Sequence, residues 1–132
     1  MHAPLTRVAA FYSDLRNLAK ISPPFPRLRI LAEDTAVEEG KTFDIELDFI
    51  IFAMRWRSFI EQVHPGSFFV DTSQGKLLRT WRHVHRYEPV DDGTLLTDEV
   101  VCDPRWWVAP FIGIGLTAIF AFRRRAIERV LR

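Results

Sequence analysis

Between Thr42 and Cys102 apolar residues recur at every second position, in runs separated by compact turn sequences. In "TFDIELDF", Phe43, Ile45, Leu47 and Phe49 alternate with Asp44, Glu46 and Asp48, the pattern of a half-buried strand. In "RWRSFIEQVHPGS", Trp56, Ser58 and Ile60 share one face while Arg55, Arg57 and Glu61 share the other. The acidic outer face of the first strand would then meet a basic one across the pair. Further strands are predicted at "SFFVDTSQ", "LLRTWRHVHRYEP" and "TLLTDEVVC". The separators "EEGK", "HPGS", "SQGK" and "VDDG" carry the glycine and Asx chemistry of tight turns. Successive strands joined so closely must pair antiparallel, as a meander.

Helical periodicity flanks this region. "PLTRVAAFYSDLRNLAKI" predicts a helix with Pro4 in its first turn and one stripe of Val8, Phe11, Leu15 and Leu18. The prolines of "SPPFPR" end it. From Trp106 to Phe122 the chain runs roughly 17 residues without a charge, the short end of a membrane span, and Arg123, Arg124 and Arg125 follow. Pro110, Gly113 and Gly115 weaken the first half. Ile112, Leu116, Ile119, Phe120, Ile127, Val130 and Leu131 keep a helical rhythm across the arginines. A buried C-terminal helix is therefore expected ahead of a membrane-contacting one, with the arginines on its solvated face. The whole chain, 1–132, reads as a single α+β domain.

Composition narrows the function classes. Eleven phenylalanines and four tryptophans argue against disorder. A net charge of +1 calls for no nucleic acid. Cys102 is alone, so no internal disulfide forms, and it reads as an inert thiol. Arg7 and Asp14 interrupt the opening apolar pattern, so no signal peptide is expected there and a cytoplasmic protein is the default. No nucleophile elbow or glycine-rich phosphate loop appears, and no cofactor is expected.

The chemistry-bearing stretch is "LLRTWRHVHRYEP". Its alternation puts Trp81, His83, His85 and Tyr87 on one face and Arg82, Val84, Arg86 and Glu88 on the other. Burying unpaired arginines would cost far more than burying neutral imidazoles, so the Trp-His-His-Tyr face should point inward, under the C-terminal helix. Three readings of the histidines follow. They can wall a pocket as satisfied polar groups. They can form an acid–base pair with Asp98, which lies on the next strand. They can bind a metal, although Asp71, Asp98, Glu99, Cys102 and His64 stand at no diagnostic spacing, and this reading ranks last.

Three segments together resemble the SRPBCC (START-like) superfamily, and within it the small bacterial polyketide cyclase/dehydrase-like group. They are "APLTRVAAFYSDLRNLAKISPPF", "FVDTSQGKLLRTWRHVHRYEPVDDGTLLTDEV" and the helix around "IFAFRRRAIERVL". The run Trp81-x-His83-x-His85, followed by Thr97-Asp98-Glu99, carries most of the likeness. The resemblance implies a helix-grip fold, in which a curved antiparallel sheet wraps a long C-terminal helix over a hydrophobic cavity. It also implies a small hydrophobic ligand such as a lipid or polyketide. One departure is visible: only Met1 and His2 precede Ala3-Pro4, so the family's first strand, which lies between the second and the last, is missing. Two strand edges would be left unpaired, from which a truncated gene start or an edge covered by a partner chain, as in a homodimer, is expected.

The resulting expectation is a binding module whose ligand touches Phe43, Ile45, Leu47, Phe49, Trp56, Ile60, Trp81, His83, His85, Tyr87, Leu116 and Phe120. The alternative is a cyclase or dehydratase-type enzyme using His83 or His85 with Asp98. A membrane-surface role resting on Trp106, Trp107 and the arginine tail comes third.

Overall fold

The computed structural model describes residues 1–132. Two short helices, α1 (Leu5–Tyr12) and α2 (Arg16–Lys20), precede six strands: β1 (Arg27–Ile30), β2 (Thr42–Asp48), β3 (Ala53–His64), β4 (Phe68–Ser73), β5 (Leu78–Val90) and β6 (Gly93–Pro104). A long helix, α3 (Ala109–Val130), closes the chain. The strands form one antiparallel sheet in sequential order, with β1 and β6 as the edge strands. This is the α+β helix-grip architecture, and a seventh strand between β6 and β1 is absent.

The turn chemistry places the hairpins as expected. Gly40 and Gly66 adopt φ of +86° and +77°, values that glycine reaches without a Cβ penalty. The opposed charges of β2 and β3 meet: Asp44 pairs with Arg57 in register and accepts its Nε–H at 3.0 Å. Phe43, Ile45 and Ile60 are buried with Val8, Phe11, Leu15, Ile21, Phe69, Tyr87, Ile127 and Leu131 in one core.

Three expectations need correction. The N-terminal helix is broken at Ser13–Leu15, because Asp14 and its neighbours bond elsewhere. The Leu15 N–H donates to the Thr35 carbonyl and the Val37 N–H to the Ser13 carbonyl. Asp14 Oδ1 accepts from the Arg16 N–H and from the Thr35 hydroxyl, an Asx turn that separates α1 from α2. Strand β1 was not foreseen; its four residues are too few to show a period. Helix α3 is also less buried than its rhythm suggests. Ile112, Leu116, Ile119, Phe120 and Ile127 turn toward the sheet, but Ile127 is the only fully buried residue of the helix, and Phe111, Ile114, Phe122 and Val130 are exposed. No helix is long and apolar enough to cross a membrane.

Candidate functional site

Strands β4, β5 and β6 run side by side, and their inward residues form the centre of the site. His83 pairs in register with Asp71 on one side and Val100 on the other, and His85 with Phe69 and Asp98. The side chains bond along the diagonals. His83 Nε2–H donates to Asp98 Oδ1 at 2.8 Å, and His85 Nε2–H donates to Asp71 Oδ2 at 2.5 Å. These tautomers follow from the partners, because an ionised carboxylate only accepts. The rings lie 3.6 Å apart between centroids, and His85 stacks on Phe69 at 4.0 Å. Trp81 Nε1–H donates to the other oxygen of Asp71 at 3.2 Å. Each carboxylate is thereby anchored, and each imidazole is committed through its Nε2.

The protonation states follow from burial and these bonds. Burial pushes the His83 pKa below its ordinary value, helped by the imidazole of His85, while Asp98 and Asp71 oppose the shift. Burial alone would raise the Asp71 carboxyl. The hydrogen bond and charge of His85, with His83 and Trp81, outweigh it and hold the pKa low. For Asp98, burial is likewise outweighed by its bond from His83 and by nearby positive charge, Arg123 included. The direction best supported is two ionised carboxylates beside a neutral His83, whose ring is 3% exposed.

A cleft of about 660 Å³ opens beside this cluster, between α3, β6 and the N-terminal helices. Its apolar wall includes Leu18, Ile21, Leu96, Leu116, Phe120 and Ile127, and its polar wall includes Tyr12, His85, Asp98, Thr117 and Arg123. Burial pushes the Tyr12 hydroxyl pKa upward, with Asp98 adding to the shift. Arg123 Nε is buried without a hydrogen-bond partner, and its guanidinium lies over the Phe120 ring at 5.7 Å. Burial lowers the Arg123 pKa, while Asp98, Tyr12 and Asp71 counteract the shift.

Of the residues singled out from sequence, His85, Asp98, Leu116 and Phe120 line the cleft. His83 lies behind Phe120, ring to ring at 5.5 Å. Trp81 packs edge-on against both His83 and Trp56, and Tyr87 stacks under Tyr12 at 5.8 Å. Phe43, Ile45 and Ile60 belong to the core, and Leu47 is half-buried in β2. Phe49 is outside the strand altogether, stacked on Phe52 in the β2–β3 turn. Asp71 entered the sequence reading only as a metal donor, and Tyr12 not at all. Arg123, expected on the solvated face, instead falls on the inward stripe Leu116, Phe120, Arg123, Ile127, which the helical period already contains. Donor atoms of Asp71, His83 and His85 lie within 4.8 Å of one another.

Comparison with known proteins bears on the fold and the family. Solved structures of similar fold include protein CV1439 from Chromobacterium violaceum, with 16% identity and a TM-score of 0.82 over 99% of this chain and 91% of that one. The di-domain ARO/CYC StfQ from the steffimycin biosynthetic pathway is similar at 16% identity and a TM-score of 0.73, over 98% of this chain and 47% of its own. The Polyketide_cyc-like protein Cgl2372 from Corynebacterium glutamicum is similar at 20% identity and a TM-score of 0.54, over 98% and 77% of the two chains. At these identities the likeness is one of fold, and the fold is of the SRPBCC type. No curated protein matches the sequence. Residues 34–131 match the family model described as a domain of unknown function, DUF8410, and the chain belongs to that family.

Proposed function

We propose that the protein binds a small hydrophobic molecule in the cleft between α3 and the sheet, with the molecule's polar end at Tyr12, His85, Asp98 and Arg123. The observation that carries this reading is the cleft itself. Its volume is within the range of small-molecule sites, and its apolar wall is broken by a few convergent polar groups. Arg123 supports the same reading. A half-buried guanidinium without a hydrogen bond or ion pair is costly to keep, and an oxygen of the ligand would supply the missing acceptor. The fold of cyclase-like and related proteins is compatible with such a ligand.

The test is a thermal-shift titration with fatty acids, sterols and aromatic polyketides, since a ligand of the folded state raises Tm by mass action. A concentration-dependent rise with one apolar class, lost in Arg123→Met, is the expected result. No rise with any class in the wild type would end the reading.

A second reading is favoured by one feature: His85, a cleft-lining residue, is held through Nε2 by Asp71 while its Nδ1 makes no hydrogen bond. A carboxylate that orients an imidazole in this way is the arrangement of a general base. An enzyme of cyclase or dehydratase type would use His85 Nδ1 to take a proton from a carbon beside a carbonyl, with Arg123 and Tyr12 close enough to receive the oxygen's developing charge. Turnover abolished in His85→Gln with binding retained would establish it, and full turnover in that variant would remove it.

A further inference from the structure

The antiparallel meander gathers one set of connections at a single end of the sheet: the approach to β1, the β2–β3 and β4–β5 turns, and the segment from β6 into α3. That end is unusually apolar. Ile50 and Ile51 are 87% and 91% exposed, Trp106 is 81% exposed, and Phe52, Trp107 and Phe111 are exposed with them. The β2–β3 turn is also ordered. Asp48 accepts the Ile50 N–H at 2.8 Å, and the Phe49 N–H donates to the Phe52 carbonyl at 2.9 Å.

Ile50 adopts φ +76°, a conformation that turns normally assign to glycine or asparagine and that strains a β-branched residue. Its side chain gains no burial within the chain in return. On its β4 side β3 runs from Ala53 to Arg57 before its first pair with β4 at Ser58, while β1 flanks β2 as far as Asp48, so the turn residues Phe49 to Phe52 are the part of the hairpin that lies beyond the strand pairing.

Charge identifies the occupant. The same end holds Arg27, Arg55, Lys76, Arg79 and Arg105 against Asp48, Asp103 and Glu46, the last of which pairs in register with Arg55. Asp48 is spent on the turn, and Asp103 lies 3.9 Å from Arg79. The connections at the opposite end carry Glu33, Asp34, Glu38, Glu39, Asp91 and Asp92 against Lys41, balanced there by the C-terminal arginines of α3. From the projecting isoleucines, the tryptophan pair and the basic rim, we propose that this end of the molecule docks on an anionic phospholipid bilayer. The hairpin tip and Trp106 enter the interface, and the arginines and lysine face the headgroups. Tryptophan favours the interfacial zone, and basic residues near it gain from anionic lipid. A narrow projecting tip suits insertion, whereas an isologous dimer needs a self-complementary patch. The proposal is independent of what the cleft binds.

Co-flotation of the full chain with vesicles is the test, comparing phosphatidylcholine alone with phosphatidylcholine and phosphatidylglycerol at about 2:1, at low and high salt. Flotation with the anionic vesicles, weakened by salt, is expected. Ile51→Glu and Trp106→Ser should each reduce partitioning by about tenfold or more, while near-ultraviolet circular dichroism and Tm stay at wild-type values, because both side chains are exposed. Three results overturn the proposal: no flotation of the wild type, undiminished flotation of both variants, or a wild-type dimer in sedimentation that Ile51→Glu dissociates.

Discussion

Arg123 and His83 show how much a single residue's meaning depends on what lies opposite it. Arg123 is held beside Tyr12 and Asp98 without a bond to either, so its burial is a cost to the free protein. Replacing it by Met should leave the denaturation midpoint unchanged or raise it, while the ligand-induced Tm rise disappears. A drop in unliganded Tm of several degrees would instead make Arg123 a structural residue. His83 predicts a pH dependence. Its folded pKa lies below the unfolded value of about 6.5, so the unfolded chain takes up a proton that the folded one resists, and stability falls as pH drops below that value. Asp71 and Asp98 have depressed pKa values. Their contribution is present above about pH 4 and is lost as pH falls through their folded values. Tm should therefore decline in two steps on acidification, and His83→Phe should flatten the upper one.

Among the elements, the start of β6 depends on the N-terminal segment. The Thr94 N–H donates to the Met1 carbonyl, and the Thr94 hydroxyl donates to the Ala3 carbonyl at 2.8 Å, with Thr94 fully buried. Gly93 makes this approach possible, since a Cβ there would meet the Met1 oxygen at 2.0 Å, and its φ of +151° disfavours other residues. Gly93→Ala should cost at least about 2 kcal/mol in a denaturant titration, and a wild-type midpoint would show that the N-terminal segment is not anchored there. Helix α1 ends where Asp14 takes up the Arg16 N–H and the Thr35 hydroxyl, bonds that Ala in its place would remove at a cost of about 1 kcal/mol. The stripe of Val8, Phe11 and Leu15 gave no warning of this break, because the competing bonds come from Thr35 and Val37 across the fold.

At the scale of the whole molecule, stability is uneven. The sheet and the N-terminal helices share one core, to which α3 contributes Ile127 and the chain end Leu131, while the first turns of α3 are largely exposed. Local opening is easiest where apolar contacts are fewest, so amides of α3 between residues 109 and 118 should exchange with deuterium faster than those of β4 and β5. A cleft ligand touching Leu116 and Phe120 should slow that exchange, and α3 protection equal to that of β5 without ligand would contradict this view. The period-two runs and their glycine turns were enough, from sequence alone, to determine a meander followed by a long helix. Alternation is a local consequence of strand geometry, and it also put His83 and His85 on the inner face. The diagonal bonding of His83 to Asp98 and His85 to Asp71 was settled only by tertiary structure. So were the inward turn of Arg123, the meeting of Tyr12 with them, and the apolar end built from Ile50, Ile51 and Trp106. Each depends on register between strands or on which side of a helix faces the sheet, and these are set by packing between residues far apart in the chain.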